Sequence, residues 1–170
     1  MRQLGFSTQP NVAFSKNQKV LTDVKDIGMQ NRMSNVHAAI GLQQLKKLNL
    51  IIKKKKDICR RYYDYFKNSR FIKAPKLHQN KIIPFIYYIR VASKYRNKLR
   101  SYLKKKKILT ALHWSPNDKY TLFKNFKKGD LSITSKISSE LITIPLYYNL
   151  KINEQLYICK KINSFFKKKL

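Results

Sequence analysis

Residues Asp26–Asn35 read DIGMQNRMSN, and VHAAIGLQQL follows at Val36–Leu45. Ser34 stands two residues ahead of an apolar series, Val36, Ala39, Ile40, Leu42 and Leu45, that recurs at helical spacing. A serine there can cap the helix, because its hydroxyl accepts from the free N–H groups of the first turn. Gly41 costs helix propensity. With Ala38 and Ala39 it also makes a low-profile face suited to close packing against another surface. Apolar residues on more than one side of this helix ask for a second covering surface.

The period resumes beyond Asn49 with Ile51, Ile52, Ile58, Cys59, Tyr62 and Phe66, which predicts one long helix or two with a kink near Asn49. Asn68–Asn80, with Pro75, reads as a loop. Phe85–Val91 is rich in aromatic and β-branched residues and reads as a strand entered at Pro84. Tyr95–Lys106 is a basic helix, Ile108–Trp114 a second strand closed by Ser115-Pro116, and Ser139 or Glu140 to Leu146 a third. Thr121–Ser135 has no decisive pattern. Ile152–Phe166 closes the chain as a helix with Leu156, Cys159, Ile162 and Phe166 on one face. Toward the N-terminus, Val20–Val24 is a short extended piece within an otherwise irregular 1–27. The expected fold class is α+β: a long helix and a small, mostly antiparallel sheet covered by helices.

A chain of 170 residues with 43% hydrophobic content holds a real core and is not a disordered polycation. No apolar run approaches the roughly 20 residues that span a bilayer, and Met1–Gly5 has no signal-peptide character. A cytoplasmic location without membrane attachment is expected. The net charge of +30 invites a nucleic-acid reading. The cations are overwhelmingly lysine, in runs such as Lys53–Lys56, Lys104–Lys107 and Lys167–Lys169. Base readout favours arginine forks, so solvated lysine faces shaped by an AT-rich genome are the simpler account, with no specific nucleic-acid partner. Cys59 and Cys159 lack CxxC spacing and read as small buried hydrophobes. His37, His78 and His113 show no metal-ligand spacing, and no metal is expected.

The Asp26–Leu45 block resembles the DegT/DnrJ/EryC1/StrS sugar-nucleotide aminotransferases, a pyridoxal-phosphate family of fold type I. Gly28, Arg32, Met33, Ala38, Ala39, Gly41, Gln44 and Leu45 match its G-x-N-x-R-M-s and q-A-A-i-G-x-x-Q-L patterns in place. Arg60–Phe66, Ile108–Pro116 and Leu141–Leu150 are similar to later family segments, and Arg2–Gly5 to the stretch that comes after the cofactor lysine. The resemblance implies the C-terminal small domain of an aspartate-aminotransferase-like fold at 34–170. Residues 1–33 would be a remnant of the large domain and a partner-facing loop.

It further implies amino transfer to a keto-sugar nucleotide, for surface polysaccharide or amino-sugar synthesis, with glutamate as the usual donor and a homodimer as the complete enzyme. The Schiff-base lysine and the acid that tunes the cofactor ring lie upstream in the family, and no lysine here sits in the family's lysine motif. No catalytic residue is therefore assigned to this chain. It looks like a truncated, split or pseudogenised product, or a portion working with a separate N-terminal large domain. The family asparagine that reaches the neighbouring subunit's cofactor phosphate corresponds to Gln30, one methylene longer, with Asn31 beside it. Arg32, His113 and Trp114 are the substrate-facing candidates, with structural pairing or packing as the alternative for each. The family's histidine after the loop proline is replaced by Asn117, so no proton-transfer role falls there. Two other classes stand beside this reading: a lysine-rich nucleic-acid-binding module, and a non-catalytic interaction protein that keeps the family's dimer helix.

Overall fold

A computed structural model describes residues 33–77, 82–126 and 129–167. Gln30, Asn31, Arg32 and the expected extended piece Val20–Val24 lie outside the described residues. The chain divides into two compact units that meet in sequence between Lys47 and Leu48.

In the first unit, helix α1 spans Asn35–Lys46. Ser34 caps it as expected, its hydroxyl accepting from the His37 N–H at 3.3 Å. No α1 residue is buried, and Val36, Ile40, Leu42 and Leu45 are all more than half exposed. The helix ends at Lys47, whose N–H returns to the Gln44 carbonyl at 3.1 Å. Of the two expected arrangements, one long helix or two with a kink near Asn49, the second holds, with the break at Lys47.

The second unit begins with α2, Leu48–Phe66, and continues through strand β1, Tyr87–Arg90, and α3, Ser93–Lys105. Two short 3₁₀ turns come next, at Asn117–Lys119 and Thr121–Phe123. Then come α4, Ser132–Glu140, strand β2, Leu141–Ile144, and α5, Ile152–Lys167. The strands pair antiparallel, Tyr87 opposite Ile144 and Arg90 opposite Leu141. Single bridges flank the pair: Lys73 to Arg90 on one side and Ala111 to Thr143 on the other. The α+β class holds, but the expected three-stranded sheet is two strands with one-residue edges. Ile108–Trp114 is not a strand. Only Ala111 finds β2, exchanging both backbone hydrogen bonds with Thr143 at 3.0 and 2.9 Å, before Ser115-Pro116 turns the chain away. The third expected strand is shortened at both ends, because Ser139 and Glu140 finish α4 and Pro145 has no N–H to extend the ladder.

The core forms where these elements bury their apolar stripes. Tyr87 and Ile89 face inward from β1 and Ile142 and Ile144 from β2, as the two-residue period of a strand requires. Ile58, Cys59, Tyr62 and Phe66 come from α2, Leu99 and Leu103 from α3, and Ile158, Cys159, Ile162, Phe165 and Phe166 from α5. Tyr62 stacks on Tyr87 with centroids 5.3 Å apart, and its hydroxyl donates to the Pro145 carbonyl at 3.0 Å. Gln155, buried at 2% exposure, joins two helices. Its amide donates to the Ile58 carbonyl and its oxygen accepts from Arg61 Nε, both at 2.7 Å. The cysteines are free and buried, as expected. Burial pushes each thiol up to about 12, with Lys55 pulling Cys59 slightly back.

The α3 terminus aims the segment 109–116. The Ile108 N–H bonds the Leu103 carbonyl at 2.9 Å and the Lys107 N–H bonds the Lys104 carbonyl at 3.0 Å, the paired closure of a Schellman motif. Lys107 takes the left-handed conformation, φ 60°, that glycine usually supplies. Ile108 and Leu103 are both buried, fixing the direction in which 109–116 leaves the helix.

Candidate functional site

The site lies at the β2 edge, where the Ala111 bridge places His113 and Trp114. His113 Nδ1 is 3.1 Å from Thr143 Oγ1, on the sheet face opposite Ile142 and Ile144. That contact orients the imidazole and leaves Nε2 as its other polar atom. Trp114 is 65% exposed. Its indole stacks on Phe85, also exposed, with centroids 6.0 Å apart at 30°, and meets the His113 ring edge-on at 5.3 Å. Two large aromatic faces standing in water at one spot are a platform for a planar ligand.

Behind this pair is a cavity of about 290 Å³, walled by Arg96 from α3, His113, Trp114, Ser135 and Ser138 from α4, and Lys119. Lys119 also lies 3.4 Å from Asp118. The wall combines cations and hydroxyls, the donors that suit an anionic, hydroxyl-rich ligand. Of the candidates read from sequence, the structure brings His113 and Trp114 together. Gln30, Asn31 and Arg32 are outside the described residues.

Arg96, Phe85 and the α4 serines escaped the sequence reading. Arg96 sat among the lysines of a basic helix, and α4 itself, SITSKISSE, is built from residues that compete with the helix for backbone hydrogen bonds. Its start shows that competition resolved: Asp130 accepts from both the backbone N–H and the hydroxyl of Ser132, which holds its carboxyl below the usual range.

The described residues do not form a cradle for pyridoxal phosphate. Every lysine among them is exposed or half-buried. No chemical step through that cofactor can be derived from them.

The model of the DegT/DnrJ/EryC1/StrS aminotransferase family matches residues 1–163. The chain belongs to that family. It is similar to the UDP-4-amino-4,6-dideoxy-N-acetyl-β-L-altrosamine transaminase of Helicobacter pylori, at 26% identity over 85% of this chain and 40% of the relative. It is 28% identical to the GDP-perosamine synthase of Escherichia coli O157:H7, over 84% of this chain and 39% of the relative. Its fold matches a putative sugar aminotransferase of Streptococcus pneumoniae solved in a PMP form, with TM-score 0.81 and 24% identity over 99% of this chain and 44% of that one. The chain spans about 40% of the length of the curated relatives it matches. Among the described residues, no helix is long and apolar enough to cross a membrane.

Proposed function

We propose that these 170 residues act as the C-terminal, small-domain portion of a pyridoxal-phosphate-dependent aminotransferase acting on keto-sugar nucleotides. The observation that carries this reading is the family match over 1–163 joined to the geometry at His113 and Trp114. The portion supplies substrate-facing groups: Trp114 as an apolar wall, His113 as an oriented donor or acceptor at Nε2, and Arg32 as a fork for an anionic group. Gln30 and Asn31 supply amides toward a partner subunit's cofactor phosphate. The Schiff-base lysine and the acid at the cofactor ring belong to the large domain, so these residues alone do not transaminate. Residues 1–33 are assigned to the large-domain side of the fold and 34–170 to the small domain, within a cytoplasmic homodimer that takes its amino group from glutamate.

The exposed apolar residues of α1 support the same reading. Val36, Ile40, Leu42 and Leu45 are left in water by the described residues, and each such side chain forgoes about 1.5–3 kcal/mol of burial. The face fits a covering large domain. Co-expression with a family large-domain portion tests this. The expected result is a soluble complex that binds pyridoxal phosphate, and Ala39→Arg, which crowds the small-residue face, abolishes it. A chain that is a dye-negative, cooperatively unfolding monomer and ignores the large domain would instead favour the non-catalytic interaction protein.

A further inference from the structure

The C-terminal end of α3 gathers cations that nothing nearby neutralises. Eight lysines and arginines lie between Lys94 and Lys107, and from Val91 to Asn117 the chain has no acidic residue. The ion pairs among the described residues use other cations: Arg60, Lys67, Arg90 and Lys119. Leu99 and Leu103 point into the core, which turns Lys94, Lys98 and Lys105 outward along one stripe. The Schellman closure then fans Lys106 and Lys107 around the helix end. Apolar groups stand in water among these cations. Leu109 is 78% exposed and Tyr157 45%. The Tyr157 hydroxyl donates to the Lys106 carbonyl at 3.4 Å, and Lys161 lies over its ring at 5.1 Å, so α5 adds a tyrosine and a cation to the same corner. Beside Leu109 opens a hollow of about 470 Å³, floored by Ile108, Leu150 and Ile158 and rimmed by Lys107. The carboxylate at that rim, Glu154, is engaged by the Lys151 N–H at 2.9 Å. The hollow and His113 lie on opposite sides of the Ala111 bridge in the chain, so this corner is not the site described above.

We propose that this corner is a docking face for an anionic lipid bilayer, with the α3 lysines against the headgroups and Leu109 and Tyr157 dipping into the boundary beneath them. Clustered lysines are drawn to anionic headgroups, and an apolar side chain set among them adds burial in the acyl boundary. A nucleic acid would take the lysines equally well, but it offers Leu109 no apolar phase. Genome bias accounts for the number of lysines, not for a leucine and a tyrosine exposed among them. The expectation of no membrane attachment rests on the lack of a span or signal peptide, and a reversible docking face needs neither. The proposal stands apart from the transaminase reading and goes beyond it.

The test uses the full 170-residue chain with vesicles of phosphatidylcholine alone and vesicles containing about 30% phosphatidylglycerol, followed by co-sedimentation. The expected result is binding to the anionic vesicles only. Lys105→Gln with Lys106→Gln should weaken it about thirty-fold, because each basic residue at such a surface is worth about five-fold. Lys53→Gln with Lys54→Gln, which removes the same charge from α2, should change it little. Leu109→Ser should weaken vesicle binding about ten-fold or more and leave binding to duplex DNA unchanged. Leu109 is exposed, so that variant keeps the fold, checked by its far-ultraviolet spectrum. A second readout places the face directly. An environment-sensitive dye on Leu109→Cys should shift to the blue on anionic vesicles, while the same dye on Lys53→Cys or on Val36→Cys of α1 should not; the native thiols are buried. Equal losses from the two lysine pairs, a Leu109→Ser variant that binds vesicles as the parent does, or a dye shift at Val36 or Lys53 in place of Leu109 would each overturn the assignment. So would duplex DNA binding that loses as much as vesicle binding on Leu109→Ser.

Discussion

Lys107 and Gln155 show how single residues hold the second unit together. A lysine at φ 60° is a poor choice for a left-handed position, costing about 1–2 kcal/mol relative to glycine. Lys107→Gly should therefore stabilise the fold by about 1 kcal/mol in urea unfolding, with no change in the denaturant slope. That lysine is also why the α3 boundary was hard to read: the run Lys104–Lys107 holds no glycine to mark the turn. Gln155→Leu should destabilise by about 1–3 kcal/mol, because it removes the acceptor of Arg61 Nε and the side-chain donor to the Ile58 carbonyl. The cysteines make a prediction about pH. Burial raises both thiols to about 12, above the roughly 8.5 of an unfolded chain. Their contribution to stability is then complete below about pH 8.5 and is lost as pH rises toward 12. A disulfide reagent at pH 8 should label neither thiol in the native chain and both in denaturant. Fast native labelling would mean that α2 and α5 do not pack as described.

At the scale of elements, the helices α2, α3 and α5 and the strand β1 were legible because each carries an uninterrupted period and a buried stripe. The segment 108–114 was not. Its pattern ILTALHW reads as a strand, but strand formation needs a partner edge. Beside it, β2 is four residues long and Leu109 stays 78% exposed. The site inherits that economy, since His113 and Trp114 are positioned by one bridge. Ala111→Pro removes the N–H that reaches the Thr143 carbonyl. It should cost about 1–3 kcal/mol and shift Trp114 emission toward that of free indole in water, while the far-ultraviolet helix signal persists. Unchanged emission would show that the bridge does not place the site. His113 and Trp114 became candidates only through the family resemblance. Arg96 needed α3 and the loop in space.

For the whole molecule, the +30 charge and the family match pull toward different readings, and the arrangement of groups decides between them. Lysines spread over solvated faces bind polyanions through counterion release. Binding to random duplex DNA should be sequence-blind and fall steeply with added salt, whereas a sequence-selective complex that survives high salt would revive the nucleic-acid module. The central claim is that these residues provide substrate-facing structure to an aminotransferase without holding its Schiff base. Borohydride reduction of the chain in pyridoxal phosphate, then mass mapping of the lysines, tests it most directly. The account predicts substoichiometric adducts scattered over the exposed lysines, unaffected by a keto-sugar nucleotide. One lysine modified stoichiometrically, and protected by that ligand, would contradict it.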